Sequence, residues 1–165
     1  MAQHVFVNHE ELMKRTFVLF AVLALTLTAA GVRAAAPAGP TIILPSAVKW
    51  VAGTGDEKGT WSAVLYGNPA MKGSEYAVRL KMPDGFKFPP HMHGAAEQVT
   101  VISGTLLAGI GSTYDATKMK ALPAGSFAAL PAKLPHYAAA KGDTIIEIHG
   151  IGPETMTMMK SASKM

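Results

Sequence analysis

The sequence predicts an all-β domain of the sandwich or barrel type, and three observations lead there. The chain has 165 residues, enough for one domain with its own core and not for two. Glycine and proline are plentiful, at 16 and 11, and no helical periodicity is sustained after residue 35. Short apolar runs alternate instead with turn signals at regular spacing, as strands joined by tight loops require.

The first segment stands apart. "MKRTFVLFAVLALTLTAAGVRAAAPAG" begins at Met13 with Lys14 and Arg15, continues as an apolar run over 17–30, and reaches Val32 and Ala34 at the −3 and −1 positions of a cut. The run is shorter than the roughly 20 residues of a membrane span. Residues 1–34 are therefore expected to be a signal peptide. "MAQHVFVNHEEL" (1–12) fits no part of such a peptide, which places the start of translation at Met13. The expected location is periplasmic or secreted, with no membrane association once the peptide is cut.

Residues 35–46, "AAPAGPTIILPS", read as a flexible leader, and the barrel domain as 47–165. Strands are expected at "AVKWVA" (47–52), "TWSAVLY" (60–66) and "SEYAVRLKM" (74–82), each followed by a Gly- or Pro-rich turn. "EQVTVIS" (97–103) is expected to turn at Gly104 into "TLLAGI" (105–110). "MKAL" (119–122), "SFAAL" (126–130), "TIIEIHG" (144–150) and "TMTMMK" (155–160) complete the series. "YDATKMK" (114–120) allows one helical turn. "GTGDEKG" (53–59) is glycine-rich but lacks the Lys-Ser/Thr and following helix of a phosphate loop, so it is a turn.

Composition excludes several chemistries. Beyond residue 34 the net charge is +3, scattered and without basic–aromatic interleaving, so nucleic acid is not an expected partner. There is no cysteine, which removes disulfides, thiol catalysis and thiolate metal sites.

The chemistry that remains concentrates in "GFKFPPHMHGAAEQVTVISG" (85–104). His91 and His93 are spaced i, i+2, which on a strand places both imidazoles on one face. Pro89 and Pro90 hold the approach extended. Glu97 is in line with Val99 and Val101, so its carboxylate is directed toward an apolar interior and needs a partner there. His136 follows later in "LPHYAAA". Imidazoles and a carboxylate together suit Fe, Mn, Co, Ni, Cu or Zn as divalent ions.

Gly85, His91, His93, Glu97 and Gly104 match the first motif of the cupin superfamily, G-x5-H-x-H-x3-E-x6-G. Gly125, Pro131 and His136 follow the second, G-x5-P-x-G-x2-H-x3-N, with Lys133 in place of its glycine and Ala140 in place of its asparagine. From Trp61 to Met159 the chain resembles small single-domain bacterial cupins. The resemblance implies an antiparallel jelly-roll β-barrel, often a homodimer, that holds one divalent transition metal (Fe, Mn, Ni, Zn or Cu) through His91, His93, Glu97 and His136. It also implies a small-molecule substrate or ligand. Oxygenases are common among such proteins, and isomerases and lyases occur, so a dioxygenase-like oxidoreductase is the leading expectation. A non-catalytic binding or sensor barrel is the alternative, and a barrel in which the metal is purely structural a third.

Other residues have two readings each. Glu97 is a ligand or an acid/base group beside the metal. Glu147 and His149 share one strand face, opposite Ile146 and Ile148. Either His149 points inward, as a catalytic proton donor, or the isoleucines do. Arg79, on the strand with Tyr76, is a carboxylate clamp or a surface residue. Tyr137 has the opposite parity to His136 and is expected outside the pocket. Met92, Met156, Met158 and Met159 raise copper, against the ordinary role of methionine as core filler.

Overall fold

The computed structural model describes residues 39–159, and nine strands lie among them. The expected signal peptide and residues 35–38 of the leader fall outside the described residues. The strands are β1 (Val51–Ala52), β2 (Trp61–Gly67), β3 (Glu75–Met82), β4 (Lys87–His93), β5 (Glu97–Ile110), β6 (Lys120–Pro123), β7 (Phe127–Leu130), β8 (His136–Ile151) and β9 (Met156–Met158). All pairings are antiparallel. Three 3-10 turns accompany them, at Pro45–Ala47, Gly55–Glu57 and Ala116–Lys118. No helix of the described residues is long and apolar enough to cross a membrane.

Two long strands organise the barrel. β5 and β8 pair along their whole lengths, from Glu97 opposite Gly150 to Ile110 opposite His136. The first half of β5 and the second half of β8 carry β7 and β3, with β2 and β1 beyond. The other halves carry β6 and β4, with β9 beyond. The ribbon bends between the two sets, where register shifts fall at Val101/Ser103 and Ser103/Thr105. Gly104 has φ +73 there, and its Cα lies so close to the Asp143 carbonyl that a Cβ would not fit. Thr144, fully buried, accepts from the Thr105 amide and donates to a carbonyl at the same bend.

Three sequence expectations are corrected. Gly104 is not the turn of a hairpin; it is a bulge inside one continuous strand. The strand expected at 144–150 starts at His136, so "AAAKGD" (138–143) is the middle of β8; the buried alanines there pair with β5, and their low strand propensity is overridden. β1 is only two residues long, and a 3-10 turn occupies 45–47.

The bulge in β5 has a consequence for side-chain direction. Glu97, Val99 and Val101 point inward, and after the extra residues it is Leu106 that does. β8 keeps one parity throughout: His136, Ala138, Ala140, Thr144, Ile146 and Ile148 share a face. The core contains Tyr76, Val78, Leu80, Met82, Phe88, Val99, Val101, Leu106, Ala140, Ile146 and Ile148. Fully burying each large aliphatic or aromatic side chain contributes about 1.5–3 kcal/mol, which explains how a chain without disulfides holds this shape.

Candidate metal centre

Four side chains converge at one end of this interior. His91 and His93 come from β4, Glu97 opens β5 and His136 opens β8. His91 and His136 are directly paired across the β4–β8 ladder. Their ring centroids are 4.3 Å apart, and those of His93 lie 5.1 and 5.3 Å from His91 and His136. One nitrogen from each ring falls within 4.8 Å of the others. The Glu97 Oε2 lies 3.6 Å from His93 Nε2 and 3.7 Å from His136 Nε2. His91, Glu97 and His136 are buried and His93 is nearly so.

The local sequence orients two of the rings. The Nδ1–H of His91 donates to the Pro89 carbonyl at 2.7 Å, and that of His136 to the Leu134 carbonyl at 3.0 Å. In both cases the acceptor is two residues upstream in a proline-containing approach. A carbonyl cannot donate, so the proton sits on Nδ1 and Nε2 presents a lone pair to the centre. The turn before His136 holds Lys133 at φ 63, the one non-glycine positive φ among the described residues. The backbone at that turn thus keeps the left-handed geometry for which glycine is usual, and the Lys133 amide donates to the His93 carbonyl at 2.8 Å.

Burial sets the electrostatics. It lowers His91 to about 4 despite the Pro89 hydrogen bond, and His136 and His93 lower it further. Burial also lowers His93, against the pull of Glu154. The same burial raises Glu97, with His136 opposing. Burial thus biases His91 and His93 toward the neutral, metal-ligating form beside a buried carboxylate, a donor set that suits a divalent cation. The residues present therefore fit a metal held by His91, His93, His136 and Glu97.

Beside the centre lies a cavity of about 100 Å³. Its walls are apolar, including Leu80, Phe88, Val99, Ile146 and Ile148, and Glu57, Glu154 and Met156 also line it. Glu154 is raised, first by burial and then by Glu97 and Glu57, with His93 opposing. Tyr76 is pushed up to about 12 by burial, Glu154 and Glu97. Sequence reasoning missed Glu57 and Glu154, because each sits in a turn without periodicity. Only the fold brings those turns to the cavity.

Three other candidates stand outside this donor group. His149 is corrected: it points to the outer face of β8, its side chain 45% exposed, with Nε2 3.0 Å from Glu147 Oε1. Ile146 and Ile148 fill the core instead. Arg79 is on that same outer face and pairs with Glu147 at 2.7 Å, so it clamps nothing in the cavity. Tyr137, expected outside the pocket, is fully buried and is among the residues lining the cavity. Its ring occupies the space that a Cβ on Gly109 would need, stacks near Tyr114, and its hydroxyl donates to the Asp115 carbonyl.

A curled antiparallel barrel with this group at one end defines the class: the chain has the cupin fold. An RmlC-like cupin from Shewanella frigidimarina NCIMB 400 superposes with a TM-score of 0.53 at 17% identity, over 70% of this chain and 94% of that one. The polyketide cyclase RemF from Streptomyces resistomycificus gives 0.61 at 14%, over 76% and 89%. A putative acetylacetone dioxygenase from Methylibium petroleiphilum PM1 gives 0.57 at 16%, over 72% and 81%. At these identities the likeness concerns the fold. More particularly, the chain belongs to the family of DUF4437, a domain of unknown function, whose model matches residues 42–158. No curated protein matches it.

Proposed function

We propose that this chain is an exported, metal-dependent oxidoreductase of the dioxygenase-like kind acting on a small molecule. The observation that carries the reading is the buried donor set opening onto an apolar cavity. Three imidazoles and one carboxylate leave one or two positions free on an ion that takes five or six ligands. A bound divalent metal would supply Lewis-acid or redox activation there. The chain's own residues do the rest. Pro89 and Leu134 hold the His91 and His136 rings in place, the apolar walls exclude water from a bound molecule, and Glu154, raised above the usual carboxylate range by its burial, lines the same cavity. A cyclase and a putative dioxygenase among the structural neighbours are compatible with catalysis without selecting the reaction.

One observation favours a second reading, a barrel that binds metal and ligand without turnover. Among the described residues, Glu57 and Glu154 are the only charged groups lining the cavity besides the proposed ligands, which is few for acid–base work. Elemental analysis followed by oxygen-uptake and substrate-depletion screens separates the two. About one equivalent of metal with turnover supports the enzyme, metal with ligand binding and no turnover supports the second reading, and no metal after reconstitution sinks both. Export to the periplasm or medium and assembly as a homodimer belong to the same proposal. Cell fractionation and light scattering test them.

A further inference from the structure

The methionines are left unused by that reading. The chain has ten of them and no cysteine, so thioether sulfur is its only soft donor. Two lie where a soft donor matters. β9 runs antiparallel to β4, with Met156 opposite His93, Met158 opposite His91 and Thr157 opposite Met92. Directly paired residues point to the same face, with Cβ atoms about 4.5–5.5 Å apart. Met156 and Met158 therefore stand on the imidazole face of the sheet, and Met92 turns to the other side. Both thioether side chains are half-buried. Core filling does not account for them: Met82 belongs to the apolar cluster, while Met156 and Met158 neither belong to it nor pack against it. Met156 instead lines the cavity together with His93 and Glu97.

We propose that Met156 is a thioether donor to the metal of this centre and biases it toward copper, Cu(I) in particular. The proposal rests on the metal centre argued above and adds the identity of the ion. Imidazole serves copper and zinc alike. An uncharged thioether favours Cu(I) and adds little for harder dications such as zinc or manganese. Met158, opposite His91 and outside the cavity lining, supports the strand pair and is not a donor.

The test uses the full-length protein. Cu(I) affinity is measured without oxygen against bathocuproine disulfonate, and Zn(II) affinity against a zinc chelator on the same preparations. Wild type is compared with Met156→Leu and Met158→Leu, which conserve volume. Met156→Leu is expected to weaken Cu(I) about 10-fold or more and to leave Zn(II) unchanged, with Met158→Leu near wild type for both. Equal loss of both ions would make Met156 a packing residue and overturn the proposal, as would an unchanged Cu(I) affinity. Zinc binding without Cu(I) binding overturns the proposal and leaves the metal centre standing. Binding of neither ion removes the centre and the proposal together. X-ray absorption on copper-loaded wild type needs no variant: a copper–sulfur shell is expected, and its absence refutes the assignment.

Discussion

The barrel carries two histidine–carboxylate groups on opposite faces of its longest strand, and they have different fates. Outside, Glu147 accepts from Arg79 at 2.7 Å and meets His149 at 3.0 Å, so each of its oxygens has a partner. Inside, the Glu97 carboxylate is 3.6–3.7 Å from its nearest imidazole nitrogens, beyond hydrogen-bond reach, and both His91 and Glu97 are buried. The outer group is closed on itself and wet. The inner one is buried, with its nitrogen and oxygen donors turned toward one another. Residue type does not distinguish the two; burial and the convergence of the donors do.

The largest expected effect breaks the comparison directly. His91→Ala/His93→Ala should abolish stoichiometric metal binding, whereas His149→Ala should leave it intact. Elemental analysis of the purified variants decides, and metal retained in the double variant would show that the donors are misassigned. Next comes Glu97→Gln, which keeps the shape and removes the charge. Metal affinity should fall at least as far as the 10–100-fold typical of losing a supporting partner, while Glu147→Gln should not change it. Equal affinities in a chelator competition would mean that Glu97 is not a ligand.

A smaller effect concerns acid. The unfolded chain protonates a histidine below about 6.5, but folded His91 does so only near 4. Over that window the unfolded state binds more protons, so the metal-free protein should lose stability as pH falls from about 6.5 toward 4, by up to about 3 kcal/mol from His91. Glu97, raised by burial, acts in the opposite sense: what it contributes is present below its ordinary value and lost as pH rises through the raised one. Glu97→Gln should therefore steepen the gain with pH. Urea titrations of metal-free protein at several pH values check this, and a flat profile in the Gln variant would contradict the electrostatic account. The smallest effect belongs to the outer group. Removing Arg79 or Glu147 should cost about 1 kcal/mol or less, and a much larger loss in thermal unfolding would mean that the network supports the β3–β8 pairing.

Much of the inner site was legible in the sequence for a local reason. In H-x-H on an extended segment, the two-residue period puts both imidazoles on one face whatever surrounds them. Likewise, the alternation Glu97, Val99, Val101 makes the glutamate share the fate of the valines. His149 was not legible, because an alternating strand reads equally well with either face inward. The missing information was the continuity of β8. His136 and His149 are thirteen positions apart, an odd interval, so on one unbroken strand they must face opposite ways. "AAAKGD" hid that continuity, since alanine, lysine and glycine have low strand propensity, and only the pairing of 138–141 with β5 carries the strand through them.

The sequence by itself determined the all-β class, the strand alternation and the cluster of nitrogen and oxygen donors, since those follow from side-chain period and from which atoms carry lone pairs. Tertiary structure alone decided which faces point inward. It also brought Glu57 and Glu154 to the cavity and laid Met156 beside His93. The reason is physical: strand pairing joins residues dozens of positions apart, and only the curled sheet removes them from water together.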